Sequence, residues 1–243
     1  MSKLLKDLIP STISTAKAKT EDTPTTASRS DKSLSFSEQY QRFVRHARDR
    51  NPNFTVDAVS GPVIASLLAY FLRNRAQCQK RGIHPQKGLF LMGPVGCGKT
   101  TLMRLFAEGL RNASHFRIVT ARSVVGKFLQ EGYSVIERYG AGSYRAKHFG
   151  YGPVLQYDQP LTYCFDDIGV ETSAKRYGND CNVIAEVLLD RYDQFVRHGM
   201  ITYLTTNLDA EALEGAYGDR VRSRLREMCN LVCFPDEAVD RRK

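Results

Sequence analysis

Eight consecutive residues, Gly93-Pro94-Val95-Gly96-Cys97-Gly98-Lys99-Thr100, carry the spacing G-x-x-x-x-G-K-[ST]. Glycines at these positions let the backbone curl so that successive N–H groups face a phosphate, and a helix starting there adds its positive end. Lys99 would then reach the β and γ phosphates of ATP and the Thr100 hydroxyl would ligate magnesium, with Thr101 completing the candidate binding set. A glycine-rich turn with a chance lysine is the competing reading. The flanks decide against it. Gly88-Leu89-Phe90-Leu91-Met92 is a short apolar run, as for a strand buried on both faces, and Leu102, Met103, Leu105, Phe106 and Leu110 return at helical spacing.

Two further polar constellations follow apolar runs. Asp166-Asp167 comes directly after Leu161-Thr162-Tyr163-Cys164-Phe165. Ligands of open parallel sheets collect at the carboxyl ends of strands, so both carboxylates should face the phosphate loop. Asp166 is the expected magnesium partner, and Asp167 is placed to orient or deprotonate an attacking water. An acidic turn closing a buried strand is the alternative. Thr205-Thr206-Asn207 ends the run from Met200. There the Asn207 amide could hold the water or report the γ phosphate. Asn207 or Asp209 could equally cap the helix expected over 210–217, and the two roles are compatible. Arg220, Arg222, Arg224 and Arg226 stand at every second position. On a helix Arg220 and Arg224 share one face, so either could bring positive charge to a neighbouring subunit's γ phosphate, against the plainer reading of a solvated basic face.

These groups need a scaffold, and the periodicities supply one. Tyr40, Phe43 and Val44 fall on one helical face; Val63, Ile64, Leu67, Leu68, Phe71 and Leu72 mark a second helix opened by Gly61-Pro62. Phe116 to Val119 reads as a strand, followed by a helix from about Ser123 to Gln130. A long helix from about Asn182 to Val196 keeps Val183, Ile184, Val187, Leu188, Arg191 and Tyr192 in register, and Leu231 to Phe234 gives a last strand. Strands alternating with helices imply an α/β fold with a parallel sheet covered on both faces. Residues 11–34 are rich in Ser, Thr, Ala and Lys and cannot offset their ordering entropy by burial. The expected organisation is a disordered tail over 1–34, an N-terminal helical region over 35–82 and a nucleotide-binding core over 83–243.

Bulk composition narrows the setting. The 243 residues are 42% hydrophobic and carry a net charge of +9, which favours a polyanionic partner. No run approaches the roughly 18 apolar residues of a membrane span, so no membrane partner is expected. The start is too short and too charged for a secretory signal. Six scattered cysteines, one of them inside the phosphate loop, fit a reducing cytoplasm rather than a disulfide scaffold.

Taken in order, Lys87 to Thr100, Phe165-Asp-Asp-Ile-Gly169, Leu189-Asp-Arg-Tyr192, Thr205-Thr-Asn-Leu208 and Tyr217-Gly-Asp-Arg-Val-Arg-Ser-Arg-Leu225 resemble the AAA+ ATPases, and within them the helicase-loader (DnaC-type) and transposition-helper (IstB-type) group. The resemblance covers roughly residues 83–234. It implies a P-loop NTPase fold of AAA+ type, a five-stranded parallel sheet of order 5-1-4-3-2, ATP with magnesium bound between subunits, and low intrinsic turnover. Arg224, in Ser223-Arg224-Leu225, matches the family's arginine finger, with Arg220 the less favoured choice; either implies a homo-oligomer. Only Pro235 to Lys243 follow Phe234, so the helical lid of many relatives is expected to be absent or minimal.

The stretch from Gly132 to Tyr157 interleaves Tyr133, Tyr139, Tyr144, Phe149, Tyr151 and Tyr157 with Arg138, Arg145, Lys147 and His148. Aromatic platforms among cations suit single-stranded DNA, although the same tyrosines could pack a long ordered loop. His148 has no cysteine or histidine at ligand spacing. The functional expectation is an ATPase that loads a replicative helicase on DNA. A transposition helper, a remodelling ATPase without DNA binding and a small-molecule kinase are the alternatives, and Asn207 and Arg224 speak against the last.

Overall fold

A computed structural model of the chain describes residues 34–109, 116–148, 155–171, 174–176 and 179–242. The chain divides into two units, Met1–Phe36 and Ser37–Lys243. The tail expected over 1–34 lies outside the described residues save for Leu34.

In chain order the elements are α1 (Phe36–Arg50), α2 (Ser60–Phe71), α3 (Arg75–Lys80), β1 (Gly88–Met92), α4 (Lys99–Gly109), β2 (Arg117–Thr120), α5 (Ala121–Glu131) and α6 (Ser134–Tyr139). There follow β3 (Tyr144–His148), β4 (Leu155–Pro160), β5 (Tyr163–Ile168), β6 (Ala174–Arg176), β7 (Asn179–Cys181), α7 (Val183–His198), β8 (Thr202–Thr206), α8 (Ala210–Tyr217), α9 (Asp219–Met228) and β9 (Cys229–Cys233). The main sheet runs β2-β5-β8-β1-β9, every neighbour parallel. Counting its strands in sequence, that is 5-1-4-3-2 read from the β9 edge, as the family resemblance implies.

Strand side chains alternate between faces, and the two faces bury different sets. Phe90, Phe165 and Leu204 join the cluster built with Val124, Phe128, Ile184, Val187, Leu188 and Leu225 from α5, α7 and α9. On the opposite face the rings of Phe43, Phe106, Phe71, Phe116 and Tyr203 form a column, with Phe43 and Phe71 stacked on Phe106 at 4.4 and 4.7 Å between centroids. Each ring fully removed from water contributes about 1.5–3 kcal/mol, and each stacked pair about 0.5–1.5 kcal/mol more. Phe106 belongs to α4, so α1 and α2 hold the back of the helix that carries Lys99 and Thr100.

Local signals place the helix starts. Thr120, Asn182 and Asp209 accept backbone N–H groups from Ser123, Ala185 and Ala212 at 3.1, 3.1 and 2.8 Å. Asp209, not Asn207, is therefore the cap of α8, which leaves the Asn207 amide for other partners. Two features differ from the sequence reading. β5 does not stop before the aspartates but continues through them to Ile168, across an irregularity in its pairing with β8 between Phe165 and Ile168. The stretch after Gly132 holds α6 and a β3–β4 hairpin, which pair within the segment and leave little apolar periodicity to read.

Candidate active site

The carboxyl ends of β1, β5 and β8 converge on a cavity of about 380 Å³. From β1 the chain enters the phosphate loop, where Gly96 has φ +81°. A Cβ at Gly96 would also overlap the Asp240 carboxylate, so glycine is required twice over, by conformation and by space. Gly96, Cys97, Gly98, Lys99, Thr100 and Thr101 line the cavity. Gly93 and Pro94 instead turn their carbonyls to the Lys99 ammonium, at 2.8 and 2.9 Å. Val95 points outward, half exposed. Cys97 is buried and its thiol is pushed up by that burial, so it stays protonated beside Lys99.

Lys99 is 5% exposed, and its third oxygen partner is Asn207 Oδ1 at 2.6 Å. That bond ties the tip of β8 to the start of α4. Asp166 is 2% exposed and accepts from two hydroxyls, Thr100 Oγ1 at 2.8 Å and Thr205 Oγ1 at 2.7 Å. The Thr205 oxygen also accepts the Asp167 N–H at 2.8 Å. One hydroxyl thus bridges both aspartates.

The geometry behind this is a β-bulge. In a regular strand Asp166 and Asp167 would point to opposite faces. Here the two oppose the single residue Thr205, Asp167 takes φ +55°, and both side chains line the same cavity. A non-glycine residue in that region costs of order 1–3 kcal/mol and persists only where the surroundings impose it. Burial, and then the neighbouring Asp166, raise the Asp167 carboxyl above its ordinary range, while Lys99 and Arg242 draw it back. A buried carboxylate oxygen beside a threonine hydroxyl is a hard-oxygen pair of the kind magnesium takes, so Thr100 and Asp166 fit that ion.

Arg224 does not line this cavity. Its guanidinium lies over the Tyr192 ring at 4.6 Å and faces Asp193 at 3.9 Å. Arg220 is exposed on the same helix. Of the aromatic and basic stretch, Tyr139 is 4% exposed and takes a hydrogen bond from Lys127, and Arg138 pairs with Glu131. Tyr144 donates to Gln194 at 2.6 Å, and Tyr133 is exposed. Phe149 and Tyr151, and the side chains of Lys147, His148 and Tyr157, lie outside the described residues.

Sequence reasoning missed two walls. Asn51, Asn53, Phe54 and Thr55, between α1 and α2, close one side, and Arg241 and Arg242 line the cavity from beyond β9. The Asn-Pro-Asn turn could have announced a loop but not a ligand wall, and nothing in the spacing of Arg241 and Arg242 points to the cavity.

Comparison with known proteins places the chain. The family described as "ATPase family associated with various cellular activities (AAA)" matches residues 89–227. A proteasome-activating nucleotidase of Thermococcus onnurineus is 41% identical over 58 residues, a stretch covering 24% of this chain and 14% of that protein. The crystal structure of the DnaC helicase loader aligns at 16% identity over 80% of this chain and 99% of that one, with a TM-score of 0.44. A putative primosome component from Streptococcus pyogenes serotype M3 aligns at 17% identity over 85% and 92%, with a TM-score of 0.49.

Proposed function

The chain belongs to the AAA family of ATPases, and from that premise we propose that it binds ATP with magnesium in the cavity, hydrolyses it, and spends the turnover loading a partner protein on DNA. One observation carries the ATPase reading: Lys99, Thr100, Asp166, Asp167 and Asn207 arrive from three strand ends at one cavity. The curled loop and Lys99 would hold the phosphates, and Thr100 with Asp166 would hold the cation, which would neutralise negative charge on the triphosphate. Asp167 orients a water toward the γ phosphorus and takes its proton as the new P–O bond forms. The bond to the β–γ bridging oxygen breaks, giving ADP and inorganic phosphate. Asn207, already bonded to Lys99, fixes the γ end. Arg224 serves the cavity of the next subunit in a homo-oligomer, since it lies away from its own.

The helicase-loader reading rests on the order of the five motifs from Lys87 to Leu225, shared with the DnaC-type group. The same motifs fit an IstB-type helper whose partner is a transposase, and retention of a replicative helicase or of a transposase on the immobilised chain separates the two. All six cysteines are free, which suits the cytoplasm, and no described helix is long and apolar enough to cross a membrane. A remodelling ATPase that ignores DNA is favoured by a different observation, the burial of Tyr139, which removes one stacking platform from the aromatic stretch. One assay decides between them. Phosphate release is measured for the full chain and for Lys99→Ala, with and without single-stranded DNA across a salt series. Turnover should vanish in Lys99→Ala; survival there sinks the site. Stimulation by DNA that fades with salt is expected for the loader, because phosphate contacts release counterions, and none at low salt selects the DNA-independent reading.

A further inference from the structure

Where β5 ends, the turn after the two aspartates is tied to the strand beside it and to the helices beyond. Thr206 Oγ1 donates to the Ile168 carbonyl at 2.7 Å and accepts the Leu208 N–H at 3.1 Å. Gly169 takes φ +94°, and a Cβ there would lie 2.3 Å from the Leu208 side chain, so the turn is pressed against the tip of β8. Two residues on, Glu171 uses both carboxylate oxygens. Oε2 accepts the Gly169 N–H at 2.8 Å, and Oε1 accepts the Tyr217 hydroxyl. Tyr217 is 8% exposed; burial, and then the Glu171 charge, push its phenol above the ordinary range, so it remains a donor.

Tyr217 is the last residue of α8, and Gly218, at φ +82°, turns the chain into α9, the helix of Arg220 and Arg224. α9 starts without a side-chain cap. Its first turn is held by the Arg222–Glu214 ion pair, by Val221 in the core, and by Tyr217 immediately before it. The two ends of the Glu171–Tyr217 bond are therefore unequally secured. The aspartate turn also has the Thr205 and Thr206 hydroxyls, at 2.7–2.8 Å, whereas the entry to α9 lacks the contact that most helix starts have. Loss of the bond loosens α9 before it loosens the aspartates.

We propose that Glu171 and Tyr217 are positioning residues for the reaction in the neighbouring subunit: their bond sets the start of α9, and with it the reach of Arg224, from the turn that follows Asp167. This rests on the reading of Arg224 as the group that serves the next subunit's ATP. The test uses the full chain, with ATP affinity and phosphate release measured for Tyr217→Phe, Glu171→Ala and Glu171→Gln. Tyr217→Phe keeps the buried ring and removes only the hydroxyl. It should bind ATP as the parent does and release phosphate roughly 10- to 100-fold more slowly, the range for one hydrogen bond to a charged group. Glu171→Ala removes the acceptor instead and should show the same split, so the test survives if the tyrosine variant fails to fold. Glu171→Gln, which keeps an acceptor for the phenol, should recover part of the rate. Equimolar mixtures then separate the two ends of the bond. Mixed with Lys99→Ala, either slow variant should regain release, since its intact loop meets a well-placed Arg224. Mixed with Arg224→Ala it should stay slow, since neither chain delivers the arginine. Parental turnover in Tyr217→Phe and Glu171→Ala would overturn the proposal. So would rescue by Arg224→Ala and not by Lys99→Ala, which would put the effect in the variant's own cavity. If Lys99→Ala and Arg224→Ala fail to rescue each other, the reading of Arg224 beneath the proposal falls instead.

Discussion

Asp166 and Asp167 are neighbours with different surroundings, and the difference supports the division of work proposed for them. Asp166 is buried with two hydroxyl donors, whereas Asp167 is half-buried on a left-handed backbone and lines the cavity. Asp166→Asn should abolish magnesium-dependent turnover and weaken binding of the magnesium–ATP complex. Asp167→Asn should leave ATP affinity within about twofold and cut kcat by roughly 10²- to 10⁴-fold, the range for a positioned general base. ATP titrations set beside single-turnover rates check this, and equal loss of binding in both variants would erase the division of labour. The residue types were legible in the sequence because loop, carboxylates and amide each close an apolar run. The bulge was not, since strict alternation predicts opposite faces, and the hydroxyl that bridges the pair, Thr205, is supplied by a strand distant in sequence.

At the scale of elements the sheet and its main helices were readable, since buried parallel strands are continuous apolar runs and each covering helix keeps its 3.6-residue stripe. What escaped were pieces stabilised by partners rather than by pattern, such as the β3–β4 hairpin, and the partners of a polar group already read on an apolar stripe. Arg191 is the clearest of these. It lies in register with the apolar stripe of α7, is 0% exposed, and has its pKa pulled down to about 9 by burial, still charged at neutral pH. Its donors reach Thr202 Oγ1 and the carbonyls of Tyr139, Leu161 and Ile201 at 2.7–3.0 Å, and its plane lies 5.7 and 5.6 Å from the Tyr163 and Phe165 rings. One side chain thus joins α7 to the end of α6 and to the entry of β5 and β8, at the far end of the sheet from the cavity. Arg191→Met should cost about 2–4 kcal/mol, because it strands those acceptors in the interior. Thermal melts would show a fall of roughly 5–12 °C for a chain of this size. Arg191→Lys should not restore it, since an ammonium cannot reproduce the planar fork. An unchanged melting temperature in Arg191→Met would show that the acceptors find other donors.

For the whole molecule the decisive question is whether and how copies of the chain meet. Arg224 lies over Tyr192 rather than in its own cavity, the placement expected of a group that serves a neighbour. If it does, Lys99→Ala and Arg224→Ala should each be inactive alone, yet an equimolar mixture should regain phosphate release, because some junctions pair an intact loop with an intact arginine. A mixture as inactive as its parts would place Arg224 outside the reaction. The net charge of +9 was legible as a preference for a polyanion, but the identity of the partner was not, because recognition of a protein surface leaves no fixed spacing in sequence.

The ring column running from α1 to β8 has a mechanical meaning. Phe43 and Phe71 grip Phe106 from two sides, and Phe106 lies two helical turns from Lys99 on the same rigid rod. A shift of α1 or α2 would therefore reach the helix that begins at Lys99 through stacked rings rather than through slack backbone alone.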